Sequence, residues 1–194
     1  MLQITGGELG GRRIHSLEGD STRPSQAKLR QALYNSLQRE VPGARVLDLF
    51  AGCGTLGIEA LSRGAEWVDF FEAARPAAKV LERNLEDLGL RARARVHVER
   101  VEKASAVIAA LTQAHGLYDL VVADPPYGLG VELDLVNGKN WSWDQVIAPG
   151  GKFVLEWGRT KSRFTELPDE VPFLVKVREK TYGDSILTTY ERPA

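Results

Sequence analysis

Asp124-Pro125-Pro126-Tyr127 sets a carboxylate, two prolines and an aromatic ring in one four-residue segment. It follows Leu120-Val121-Val122-Ala123, an apolar run that reads as a buried parallel strand. The segment therefore falls where an α/β sheet ends and its ligand crevice begins. Each proline fixes φ and lacks an amide donor, which removes the segment from any ladder. What remains is a rigid set of one carboxylate, one outward-pointing carbonyl and one flat ring. Such a set matches a planar group carrying an NH2. Asp124 and the Pro125 carbonyl would accept its two hydrogens, and Tyr127 would stack on its face.

A second constellation lies upstream. Val46-Leu47-Asp48-Leu49-Phe50-Ala51-Gly52-Cys53-Gly54-Thr55-Leu56-Gly57 runs from a buried strand through a glycine turn into a helix. Gly52, Gly54 and Gly57 spell G-x-G-x-x-G, a pattern common to many nucleotide-binding proteins. Glycines let backbone approach a ligand, and the helix start offers free amides. Asp48 discriminates further. A carboxylate beside this loop suits a ligand with a positive end, such as the amino group and sulfonium of S-adenosylmethionine; the alternative is that it only ties down the loop amides. Glu72 ends the next strand, twenty residues past Gly52, where an acid can accept from both ribose hydroxyls. Phe50 and Ala51 complete the loop. An adenine contact is expected after the third strand, at Val101 and Glu102, although Glu99-Arg100-Val101-Glu102-Lys103 also reads as a solvated charge run.

The elements needed to position these groups are legible. Residues 1–18 read as a β-hairpin with arms Gln3-Ile4-Thr5 and Arg12-Arg13-Ile14-His15. A helix is expected from near Ser25, its buried face marked by Leu29, Leu33 and Leu37. Strands are expected at Arg45–Phe50, Trp67–Phe71, Arg95–Val98, Tyr118–Ala123 and Lys152–Trp157, with helices at about 55–63, 75–88, 102–114 and 140–147. That alternation implies βαβ units and a doubly wound, largely parallel sheet. Phe173–Glu179 and Ile186–Glu191 face each other across Tyr182-Gly183-Asp184, an antiparallel hairpin at the sheet's end. The layout is that of a class I methyltransferase: residues 1–24 as a small N-terminal β-hairpin extension and loop, and 25–194 as a Rossmann-like domain with a mostly parallel seven-stranded sheet.

Bulk properties narrow the classes. A net charge of −1 over 194 residues argues against a protein that coats nucleic acid by charge alone. The first 39 residues nevertheless carry six Lys/Arg against three acids. One cysteine, Cys53, excludes an internal disulfide and fits a cytoplasmic protein. No run reaches membrane-spanning length. His15, His97 and His115 lack metal spacing, so no metal site is expected.

The chain resembles the RsmD-type 16S rRNA guanine-N2 methyltransferases over nearly its whole length. The resemblance is carried by Ile4 to Arg12, by Thr22-Arg23-Pro24 with Lys28-x-Arg30-Gln31-Ala32-Leu33-Tyr34-Asn35, by Leu47–Gly54, and by Leu56-Gly57-Ile58-Glu59-Ala60-Leu61-Ser62-Arg63-Gly64-Ala65. Asp124–Tyr127 and Tyr182-Gly183-Asp184 complete it. Cys53 stands where a small hydroxyl residue is expected, and Val101-Glu102 where Gly-Asp is more usual. The resemblance implies S-adenosylmethionine as cofactor and a guanine of small-subunit rRNA as substrate, methylated on the particle or an assembly intermediate; action as a monomer is the default expectation. Arg12, Arg13, Arg23, Lys28 and Arg30 are candidates for phosphate contacts, with Arg23-Pro24 alternatively part of a cofactor lid. Trp141 and Trp143 are candidates for base stacking or core packing. Rival readings are an adenine-N6 or glutamine-amide methyltransferase, which present a similar NH2, and a non-catalytic RNA-binding or assembly factor. A nicotinamide-dependent oxidoreductase would leave Asp124–Tyr127 without a role.

Overall fold

The computed structural model describes residues 1–17, 24–126, 130–158 and 166–194. The chain forms two compact units, Met1–Arg100 and Val101–Ala194.

In the first unit, β1 (Leu2–Gln3) and β2 (Arg13–Ile14) pair antiparallel as the expected N-terminal hairpin. Helix α1 runs Pro24–Ser36, starting one residue before Ser25 and burying Leu29, Leu33 and Tyr34. Three parallel strands follow: β3 (Arg45–Asp48), β4 (Trp67–Phe71) and β5 (Ala94–His97). Strand β4 lies between the other two. Strand β3 ends at Asp48, two residues earlier than its apolar pattern suggests, because the chain turns there into the glycine loop. Both faces of β3 and β4 are covered, so Val46, Leu47, Val68, Phe70 and Phe71 are all buried. A fully buried side chain of this kind contributes about 1.5–3 kcal/mol.

Helix α2 (Thr55–Ser62) is buried along most of its length, while α3 (Arg75–Asp87) buries only Ala77, Ala78, Leu81, Asn84 and Leu85. That spacing is a single apolar stripe, with charged residues on the remaining faces. Gly57 lets α2 sit directly on β4: a Cβ there would fall 2.2 Å from the Phe70 ring. The close approach fixes where the helix start, and hence the glycine loop, lies over the sheet.

The second unit opens with a 3₁₀ turn at Val101–Lys103 and α4 (Ser105–His115). Strand β6 (Tyr118–Ala123) pairs parallel with β7 (Ile147–Gly158). Strand β10 (Ser185–Glu191) then pairs antiparallel with β7 and with β9 (Leu174–Tyr182), and short β8 (Glu170–Val171) edges β9. Tyr182 and Ser185 pair across Gly183-Asp184, and Gly183 supplies the positive φ (61°) that a two-residue turn needs. Strand β7 begins five residues before the expected Lys152, because Ala148–Gly151 form an irregularity that the β6 register skips.

The helix expected over 140–147 is absent. Instead α5 occupies Val131–Val136, and only a 3₁₀ turn at Trp143–Gln145 remains. Asn137-Gly138 ends α5, with Gly138 at φ 66°. Trp143 is then pulled inward: its indole donates to the Val136 carbonyl (3.1 Å) and stacks on Phe153 at 4.5 Å. Burial of one ring overrides helical periodicity.

Candidate active site

The glycine loop is held by two carboxylates of different kinds. Asp48, at the end of β3, is fully buried, and its Oδ2 accepts the Gly57 amide at 2.9 Å. Gly57 is the third residue of α2, whose start has no side-chain cap of its own. Asp48 therefore satisfies one orphan amide of the helix from the preceding strand. Its Oδ1 is buried and makes no hydrogen bond among the described residues. Burial lifts the Asp48 pKa from 3.8 to about 7; the Gly57 and Phe50 amides act in the opposite direction, and Glu72 adds to the rise. An orphaned oxygen on a buried acid is costly unless a donor or cation meets it. The site fits a ligand with a positive end, as the ammonium of S-adenosylmethionine provides.

Glu72, following β4, is half-buried. Its Oε2 accepts the Gly52 amide (2.8 Å) and its Oε1 the Ala74 amide (2.6 Å). Two amides orient the carboxylate, and each oxygen keeps a further lone pair for a diol. Gly52 takes φ 55°, and Ala51 donates to the Phe71 carbonyl at 3.0 Å. Gly54, at φ 92°, packs against Leu81 and Ile58. Asp48 thus holds Gly57, and Glu72 holds Gly52. Val101 is buried in its 3₁₀ turn and Glu102 is exposed.

In the second unit, Asp124-Pro125-Pro126 leaves the end of β6. Asp124 is half-buried, Pro125 buried and Pro126 exposed. Tyr127 and Arg23 lie outside the described residues.

The candidate RNA-binding cations divide. Arg12, Arg13 and Lys28 are exposed, and Arg12 reaches the Asp87 carbonyl at 3.2 Å. Arg30 is 6% exposed, donates to the Gln3 carbonyl (2.8 Å) and sits 4.0 Å from Glu59. It braces α1 against the hairpin from inside, which gives it a structural occupation. Trp143 is a core residue, and Trp141 meets its ring edge-on at 5.7 Å. His15 pairs with Asp87 (3.1 Å) and His97 with the buried Asp69 (3.0 Å).

Sequence reasoning missed the residues that dock the hairpin. Glu59, buried in α2, accepts the Thr5 amide (2.8 Å), the Thr5 hydroxyl (2.6 Å) and Arg63 Nε (2.9 Å). Ser62 donates to the Gly6 carbonyl (2.6 Å) and accepts the Leu9 amide (3.0 Å). Asn84 exchanges hydrogen bonds with the His15 backbone and donates to the Cys53 carbonyl in the glycine loop. Tyr34 donates to the Leu56 carbonyl at 2.7 Å. The available signal was a glutamate and a serine within an apolar helix, Leu56-Gly57-Ile58-Glu59-Ala60-Leu61-Ser62, where solvent cannot satisfy them.

Comparison with known proteins agrees with this architecture. The family model Conserved hypothetical protein 95 matches residues 2–191. YlbH of Bacillus subtilis, provisionally described as an rRNA methyltransferase, is 34% identical, with 98% of this chain and 99% of that protein aligned. Ribosomal RNA small subunit methyltransferase D of Escherichia coli K12 is 30% identical over 149 residues, 75% of this chain and 72% of the other. Among solved structures, YhhF of Escherichia coli, provisionally described as a methyltransferase, has a TM-score of 0.77 at 27% identity and covers 100% and 98% of the two chains. The Thermus thermophilus 16S rRNA N2 G1207 methyltransferase RsmC, in complex with AdoMet and guanosine, shares the fold at TM-score 0.67 and 24% identity, over 95% of this chain and 46% of that one. The chain belongs to the Conserved hypothetical protein 95 family, the family of the RsmD-type rRNA methyltransferases.

Proposed function

We propose that this chain transfers a methyl group from S-adenosylmethionine to the exocyclic N2 amine of a guanine in 16S rRNA of the small ribosomal subunit. The observation that carries the reading is Asp124-Pro125-Pro126 at the end of a buried parallel strand, in a chain that matches the family over residues 2–191. S-adenosylmethionine supplies a methyl group already activated on a sulfonium. Asp48 would hold its ammonium through the free Oδ1, Glu72 its ribose, the Gly52–Gly57 backbone its flank, and Val101 and Glu102 its adenine.

The work left to the chain is alignment. An exocyclic amine is a poor nucleophile because its lone pair is conjugated with the ring. Asp124 and the Pro125 carbonyl accept the two N–H groups, which favours pyramidalisation and frees the lone pair. Pro126 stiffens the segment, and Tyr127 stacks on the purine. Asp124 stabilises positive charge developing on nitrogen, and a proton leaves afterwards. Proximity and electrostatics supply the rate. The base must lie in an exposed loop or leave its stack to be reached. Arg12, Arg13, Lys28 and Arg23 are assigned to phosphate. Action as a monomer, on a particle or assembly intermediate in the cytoplasm, completes the reading. No described helix is long and apolar enough to cross a membrane.

The test is transfer of labelled methyl from S-adenosylmethionine to small subunits lacking the modification, followed by nucleoside separation. Label in N2-methylguanosine, absent with Asp124→Ala, is the expected result. Label in another nucleoside, or in protein, would redirect the assignment to a different amine.

A further inference from the structure

We propose that the cleft between the N-terminal hairpin and α1 is a binding site for one nucleotide of the RNA, its phosphate on Lys28 and its base edge on Gln3 and Gln31. The inference rests on the RNA reading above and adds a second contact to it, since the methylated base itself belongs to Asp124–Pro126. The cleft has a volume of about 300 Å³, with Gln3, Thr5 and Gly11 on the hairpin side and Ala27, Lys28 and Gln31 on the helix side. That volume is at the lower end of small-ligand sites and accommodates a single nucleotide.

Its chemistry is selective. Lys28, Gln31 and Gln3 are exposed, and among the described residues no carboxylate pairs with Lys28. Gln3 Nε2 donates to the Gly11 carbonyl at 3.2 Å, and its side-chain amide oxygen can accept from an incoming donor. Gln31 adds a second amide that both donates and accepts. One cation with two amides reads a phosphate together with a hydrogen-bonding base edge. With no aromatic side chain among the described lining residues, stacking does not drive binding there.

Both walls are fixed from behind. Arg30, from the buried face of α1, donates to the Gln3 carbonyl, and Glu59 takes the Thr5 amide and hydroxyl. The cleft is therefore braced in place before RNA arrives, which reduces the ordering cost of binding.

The experiment uses the full chain without cofactor and a fluorescein-labelled single-stranded RNA of mixed sequence, with a 4-thiouridine version for photo-crosslinking and peptide mapping. Lys28→Ala is expected to weaken RNA binding about tenfold, Gln31→Ala less, and the double variant more than either. Affinity for S-adenosylmethionine should stay at the wild-type value. Crosslinks should map to the peptides containing Gln3 and Gln31. Wild-type RNA affinity in the double variant, with crosslinks elsewhere, would overturn the cleft while leaving methylation of the subunit standing. Unchanged RNA affinity with a raised KM on assembled subunits would assign the cleft to a ribosomal protein and overturn the proposal. Wild-type protein that neither binds RNA nor methylates subunits would remove the functional reading and this one together.

Discussion

Asp48 and Glu72 are both acids at strand ends, yet their surroundings give them different properties. Glu72 has an amide on each oxygen. Asp48 is fully buried, with the Gly57 amide on Oδ2 and, among the described residues, no hydrogen bond to Oδ1; the Phe50 amide offsets only part of the burial cost, and the Asp48 pKa rises to about 7. A carboxyl whose folded pKa lies above its unfolded value binds more protons in the native state. Its contribution therefore favours folding at low pH and is lost as pH rises from about 3.8 to about 7. The cofactor-free protein should thus gain stability on acidification within that window, and Asp48→Asn should flatten the profile in urea titrations. A cationic ligand reverses the preference by stabilising the ionised acid. Affinity for S-adenosylmethionine should fall by up to about tenfold per pH unit below 7, with proton release visible by calorimetry in buffers of different ionisation enthalpy. Gly57 makes a steric prediction at the same scale. Its missing Cβ would meet the Phe70 ring at 2.2 Å, so Gly57→Ala should cost about 1–3 kcal/mol, measured from the urea midpoint.

Between elements, α2 is the piece on which the first unit is assembled. Its start receives the Asp48 carboxylate, its body packs on β4, and its later residues hold the hairpin through Glu59 and Ser62. Glu59→Ala would leave the Arg63 guanidinium and the Thr5 amide without their buried acceptor, and Arg30 without its counter-charge. The expected loss is about 3–5 kcal/mol, with faster amide exchange at Thr5 and Leu9 than at the β3 amides. Glu59→Gln, which keeps an acceptor, should lose less. Such a variant separates the hairpin from the cofactor loop, because Asp48, not Glu59, holds Gly57. In the second unit Trp143 has the corresponding role, joining the end of α5 to Phe153 on β7. Trp143→Ala should cost about 3–5 kcal/mol rather than acting through RNA affinity.

For the whole chain, a net charge of −1 makes RNA binding a matter of where the cations stand. The exposed set described on the hairpin and α1 is Arg12, Arg13 and Lys28. If each neutralises one phosphate of a single strand, these three contribute about −2 to the slope of log affinity against log salt, and Arg23 adds about −0.7 more. Charge-removing variants at these positions should each flatten that slope. Arg30→Ala should instead act mainly on stability, because its guanidinium is committed to Gln3 and Glu59.

Much of this protein was determined locally and can be read locally. Strands Trp67–Phe71 and Tyr118–Ala123, the glycine loop with Asp48, and the terminal hairpin follow from apolar runs, turn glycines and short-range spacing. The resemblance carried the family for the same reason, since its motifs are contiguous. Tertiary structure decided what contiguous reading cannot reach. It set which oxygen of Asp48 is spent on a helix amide and which is left over. It committed Arg30 to the interior and Trp143 to the core, and replaced the helix expected at 140–147 with a 3₁₀ turn. It also made Glu59 the acceptor for Thr5, 54 residues away. Local periodicity records which face a residue presents, whereas a buried polar group is defined by the partner that satisfies it, and that partner is chosen only when distant segments pack.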